Sequence, residues 1–182
     1  MKLQLLLSIF FFTLYCSIPG SSAATDEKDN RGNVTISFGQ WIANPDTPLD
    51  RLTANPAGGV GNNHELLPKF VEIKAGGAVN FVISGLHNVQ AYDDGTQPDD
   101  ISTESPLPGA AGGIIDSANK RIYRGWDPNA IPNNFQRDRV EAVQFPEPGT
   151  YLVICGVVNH FLNDNMFGFV RVVPNTMSVK LE

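Results

Sequence analysis

The feature that most constrains the fold is a series of short β-patterned segments separated by glycine and proline. Apolar residues alternate or run together for four to nine positions, and no sustained helical stripe interrupts them; the segments span residues 33–41, 70–74, 78–84, 139–145, 151–154 and 168–173. Short strands punctuated by turns are typical of a Greek-key antiparallel β-sandwich. We therefore predict an all-β chain of this class, with a long inserted loop region at 93–136.

The pattern also predicts local connections. A turn at residues 75–77 joins the segments at 70–74 and 78–84, which favours a β-hairpin. The proline- and glycine-rich stretch 44–63 is expected to be a loop, and residues 117–123 are expected to form a short helical turn or strand.

The first 24 residues are typical of a secretory signal peptide. Lys2 precedes a mostly apolar run that ends in small residues at Ser22, Ala23 and Ala24. We expect residues 1–24 to be removed and residues 25–182 to form a single domain. The protein would then be exported, to a periplasmic or extracellular location.

Removal of the signal peptide makes the cysteine count informative. Cys16 leaves with it, so Cys155 is the one cysteine of the mature chain. An unpaired thiol in an oxidising compartment is expected to be either a small buried core residue or a metal thiolate.

Two further donors follow Cys155 closely. The doubly apolar run 151–154 ends at this residue, and His160 and Met166 lie in the next eleven positions, before a strand pattern resumes. A thiolate with two imidazoles and a weak thioether is the ligand set of a blue-copper site. His87, beside a predicted strand end, can supply the second imidazole if the sandwich brings its loops together. The predicted metal ligands are therefore His87, Cys155, His160 and Met166; His64 is expected near the surface, before a strand.

The chain resembles the cupredoxins, the superfamily of small blue-copper proteins that includes plastocyanin and azurin. The resemblance covers residues 70–92 and 148–172 and is carried by three motifs: His87-Asn88, then Gly149-Thr150-Tyr151 leading to Cys155, then His160, Met166 and Gly168. Four residues separate the cysteine from the second histidine, as in azurin-like members. The five residues between His160 and Met166 are a longer spacing than the family pattern.

The resemblance implies a function as well as a fold. It implies that residues 25–182 form a cupredoxin-like domain with one type 1 copper ion as cofactor, and that this domain transports electrons between redox protein partners that dock near His160. It also places Asn88 outside the ligands, bonding across to the cysteine loop. An apolar docking patch would comprise Phe161, Leu162 and Phe167.

Several alternatives remain beside this interpretation. The same ligands could serve copper delivery or storage without a redox role, Met166 could be core packing, and zinc could occupy the cysteine and histidines. Catalysis is not expected, because a catalytic second copper needs further histidines and the chain has three in all. A nucleophilic pair of Cys155 and His160 would need an accessible thiol.

Charge limits the choice of partners. The formal net charge is −6, which disfavours nucleic acid and anionic membrane surfaces as partners and suits a basic protein. The apolar run of the signal is too short for a spanning helix, so we expect no membrane span. We also expect a monomer.

Overall fold

The computed structural model describes residues 32–42, 61–104, 113–125 and 138–175. Within these ranges the elements are β1 (Asn33–Trp41), β2 (Asn62–Leu67), β3 (Phe70–Lys74), β4 (Gly77–Ile83), β5 (Val89–Asp94), a 3₁₀ turn (Pro98–Asp100), β6 (Arg121–Tyr123), β7 (Arg139–Phe145), β8 (Gly149–Cys155), α1 (Val158–Leu162) and β9 (Phe167–Val173). None of the helices there is long and apolar enough to cross a membrane. The predicted signal peptide and most of the predicted 44–63 loop lie outside the described residues.

The strands form two sheets packed face to face. One has the order β2-β1-β4-β7 and the other the order β3-β9-β8-β5-β6. The prediction of an all-β sandwich is confirmed. The sheets are mixed, however, because β1 pairs with β4 and β3 pairs with β9 in parallel.

The predicted hairpin of β3 and β4 is wrong. These strands belong to opposite sheets, and the turn at Gly76, whose φ is +84°, carries the chain from one to the other. Both strands bury alternate side chains in the same interior, Ile73 from one and Phe81 from the other. The alternation that predicted neighbouring strands therefore also fits strands that face each other across a core.

The inserted region adds a second core. Ile101 and Ile115 pack on the outer face of the five-stranded sheet, against Tyr92, Leu152 and Phe161. As a result β8 is buried on both faces from residue 151 to residue 155, as its apolar run predicted. Residues 121–123 form an edge strand, one of the two forms expected for that stretch.

Candidate metal centre

Three donor atoms converge at one end of the sandwich. The Sγ of Cys155 lies 3.6 Å from Nδ1 of His87 and 3.6 Å from Nδ1 of His160, and the two nitrogens are 3.1 Å apart. A triangle with these sides has a point about 2.0 Å from all three atoms, close to the ~2.0–2.3 Å of metal bonds to imidazole and thiolate. One thiolate and two imidazole nitrogens in a plane are the trigonal donors of a type 1 copper site.

His87 is held in the interior with a defined tautomer. It lies just before β5 with 2% of its surface exposed, and its Nε2 is 3.0 Å from Oδ1 of Asn62. Because an amide oxygen only accepts, Nε2 carries the proton and Nδ1 offers its lone pair toward Cys155. Burial, and then His160 and His64, lower the pKa of His87 to about 3, so the ring is neutral at pH 7.

Cys155 is fully buried at the end of β8. Burial raises the pKa of its thiol to about 12, while backbone N–H groups of Asn88 and Val157 donate to the sulfur and lower that pKa. The metal-free thiol is therefore protonated, and a metal ion must displace its proton to bind. An inaccessible, protonated thiol also argues against a nucleophilic role.

His160 lies on α1, a single helical turn where the sequence indicated a loop. It is half-buried, and burial, followed by His64, lowers its pKa to about 4. Asp164 opposes this shift. Both candidate imidazoles are therefore neutral and able to donate a lone pair at pH 7.

Met166 is tied to the other two donors of its loop through its backbone. Its N–H donates to the carbonyl of His160 at 3.0 Å, and its own carbonyl accepts from the N–H of Cys155 at 2.9 Å. Its side chain is fully buried in the core cluster that contains Cys155. That burial fits both the axial thioether and the core-packing interpretations, and the axial role stays a prediction.

Asn88 contacts the cysteine loop through its backbone. Its carbonyl accepts from the N–H of Gly156 at 2.6 Å, and its own N–H donates to the sulfur of Cys155. Its side chain is fully buried, and neither amide atom has a hydrogen-bond partner among the described residues.

His64 is placed differently from the expectation. It lies within β2 rather than before a strand, it is half-buried, and its ring stacks on that of His160 with centroids 3.7 Å apart and planes 13° apart. Candidate donor atoms of the three histidines lie within 4.8 Å of one another. The sequence does not predict this position of His64, because the segment Asn62–Leu67 is largely polar and lacks an apolar alternation.

A β-bulge explains how His64 reaches the site. Phe38 pairs with Leu66 and Gln40 with Asn63, so two residues of β2 oppose the single Gly39 of β1. Gly39 has a φ of +78°, and a Cβ there would come within 2.7 Å of the His87 ring. The bulge therefore turns His64 toward the site, and the missing side chain at Gly39 leaves room for His87.

The start of β7 fixes the segment that carries His87. Arg139 donates from Nη2 to the carbonyl of His87 at 2.9 Å. Asp138 accepts through Oδ1 from the N–H of Gly85 at 2.8 Å and from Nε1 of Trp41 at 2.9 Å. These contacts bind the segment 85–87 to the four-stranded sheet.

The predicted docking patch needs one correction. Phe161 is 6% exposed because it packs in the second core beneath the inserted region. Leu162 is 53% exposed and Phe167 is half-buried. Of the three predicted apolar residues, Leu162 is therefore exposed two positions along the chain from His160, and Phe167 is partly covered by the second core.

Comparisons with known proteins give similarity in structure alone. No protein-family profile matches the chain, and no curated protein matches it. A mutant fern plastocyanin is 18% identical with a TM-score of 0.39, covering 77% of this chain and 100% of its own. A reduced auracyanin from Roseiflexus castenholzii is 19% identical with a TM-score of 0.37 (60% and 88% covered), and a purple cupredoxin from Nitrosopumilus maritimus is 16% identical with a TM-score of 0.36 (76% and 98%).

Proposed function

We propose that this chain is an exported blue copper protein of the cupredoxin type, which carries single electrons between redox partners. The observation that supports it is the triangle formed by the Cys155 sulfur and the Nδ1 atoms of His87 and His160, whose centre is about 2.0 Å from each donor. Such a donor set suits copper in both oxidation states, and bound copper would supply a one-electron couple.

The chain's own residues limit rearrangement around that centre. Cys155 is fixed at the end of a strand buried on both faces, and two backbone N–H groups donate to its sulfur. His87 is held by Asn62 on one side and through its carbonyl by Arg139 on the other. Donors held this firmly favour fast electron exchange, since little has to move when the charge changes.

Electrons would pass through the edge of His160. His87 and Cys155 are almost fully buried, whereas His160 is half-buried and lies two residues from the exposed Leu162. A partner that docks on this apolar surface would come closer to the metal centre through His160 than through either of the other two donors. The net charge of −6 would favour a partner with a basic surface around its own site.

The alternatives are less well supported. Copper delivery needs a ligand that can be released easily, and here two of three donors are buried and held by neighbouring groups. All three histidines of the chain lie in one cluster, so none remains for a separate catalytic copper bound by imidazoles. The Cys155 and His160 pair lacks an accessible thiol for nucleophilic chemistry.

Copper titration tests the proposal. The purified apo protein should bind one equivalent of Cu(II) and develop intense visible absorption that disappears on reduction and returns on oxidation. Voltammetry should give a reversible one-electron wave. A colourless, weakly bound ion would favour storage or delivery, and zinc binding with no response to copper would contradict the proposal.

Replacement of Asn62 by alanine should weaken copper binding without unfolding the protein. Asn62 accepts from Nε2 of His87 and donates from Nδ2 to the carbonyl of Ser84 at 2.8 Å. Loss of such an outer partner typically costs about 10–100-fold in metal affinity. Competition with a chelator of known affinity measures the change.

Asn63→Ala is the matched control, because the neighbouring side chain is exposed on the opposite face of β2. Its affinity should equal that of the unmodified protein. Equal affinities for both variants would show that Asn62 does not orient His87.

A further inference from the structure

We infer that His64 is a positioning residue for the metal centre, whose ring stacks on His160 and holds that ligand in its binding orientation. This inference rests on the proposed function. It assigns a role to the third histidine, which lies on β2 of the four-stranded sheet, whereas Cys155 ends β8 of the five-stranded sheet and His160 and Met166 follow it.

The ring geometry argues against His64 as a fourth ligand. Its plane is 13° from that of His160, with 3.7 Å between centroids. A nitrogen donates to a metal in the plane of its own ring, so two stacked rings cannot both direct lone pairs at one ion about 2.0–2.1 Å away. His64 presents its face to His160.

The stacking contact of His64 is made to the more exposed of the two candidate histidine ligands. α1 is a single helical turn of five residues, and His160 is only half-buried on it. The backbone hydrogen bond from Met166 fixes the carbonyl of His160 and does not orient its ring, whose Nδ1 contacts the other two candidate donors, Cys155 and His87. By contrast, the His87 ring has Asn62 as a hydrogen-bond partner at Nε2. The stacked ring of His64 is therefore a support for the more exposed imidazole that comes from outside the donor set.

The position of His64 is itself fixed by the fold. It lies in the bulge that opposes Gly39, and its ring also makes an edge contact with His87 at 5.3 Å between centroids. Together with His87 and His160 it lines a cavity of about 230 Å³ beside the donors, also bordered by Trp41 and Leu86. Loss of the ring would enlarge that cavity and free the His160 ring to rotate into it.

The test compares three substitutions in the whole protein. His64→Phe keeps an aromatic face, His64→Leu keeps apolar volume without a ring, and His64→Ala removes both. We expect the phenylalanine variant to retain copper affinity within about twofold. The leucine and alanine variants should lose about three- to tenfold, the usual strength of an aromatic pair, and should show altered visible and paramagnetic spectra.

A second readout needs no copper. In the metal-free protein the His160 ring protons should show upfield ring-current shifts in NMR spectra, which persist in His64→Phe and vanish in His64→Leu. If the His64→Leu variant matches the His64→Phe variant in both readouts, ring stacking does not hold His160 in its orientation and the inference fails. If phenylalanine behaves like alanine, the imidazole nitrogen is required and the inference is likewise overturned in favour of coordination by His64. Failure of the unmodified protein to bind copper would instead refute the proposed function and leave the ring-current result standing.

Discussion

Cys155→Ser should abolish the blue colour and reduce copper affinity by more than the roughly 10–100-fold expected for loss of an outer partner. The sulfur is one corner of the donor triangle, and a serine hydroxyl at the same place stays protonated at neutral pH and is a poor ligand for soft copper. The intense visible absorption depends on the thiolate, so it should disappear even where some copper still binds. Absorption spectra and chelator competition measure the two effects.

Val153→Thr controls for the polarity that serine introduces. Val153 is fully buried in the same core cluster, two positions earlier on β8, and is not a candidate donor. Either variant places a hydroxyl in the core at a cost of about 1–3 kcal/mol in the free energy of unfolding. The threonine variant should nevertheless bind copper and turn blue. A blue Cys155→Ser protein would refute the thiolate centre.

The candidate donors could be proposed from the sequence because most of them are local. Cys155 ends a strand whose apolar run predicts burial on both faces, and His160 and Met166 follow it. A sandwich brings strand ends together, so one distant imidazole completes the candidate set. Copper titration and the Cys155→Ser variant test whether these residues act as ligands. The sandwich itself followed from alternation, which is strong wherever one face of a strand is buried.

The supporting residues could not be found in this way. Asn62 and His64 lie on β2, whose polar sequence looks like loop, and their role depends on a bulge that becomes visible only when β1 and β2 are paired. The predicted pairing of β3 with β4 is wrong for a related reason. Alternation indicates which residues of a strand are buried and does not indicate which strand lies beside it. It therefore predicts one sheet for β3 and β4, which lie in two.

Gly39→Ala should disturb the metal centre although Gly39 carries no donor. A Cβ there would lie 2.7 Å from Cδ2 of His87 and 2.8 Å from the carbonyl oxygen of Ser84, so the imidazole has to move. The left-handed backbone costs alanine about 1–2 kcal/mol, and overpacking adds about 1–3 kcal/mol. We expect lower stability together with a copper affinity reduced by at least about tenfold.

Gly76→Ala separates the two causes. Gly76 has nearly the same φ, +84° against +78°, but a Cβ there would meet no atom of the described residues within 4 Å. Its alanine variant should lose only the about 1–2 kcal/mol of backbone strain and keep the colour and affinity of the unmodified protein. If both alanine variants bound copper normally, the space beside His87 would not be what positions that ligand. If only Gly39→Ala loses copper affinity, the bulge that sets the place of His64 also creates the room that His87 requires. A single irregularity in the pairing of β1 with β2 then arranges both imidazoles.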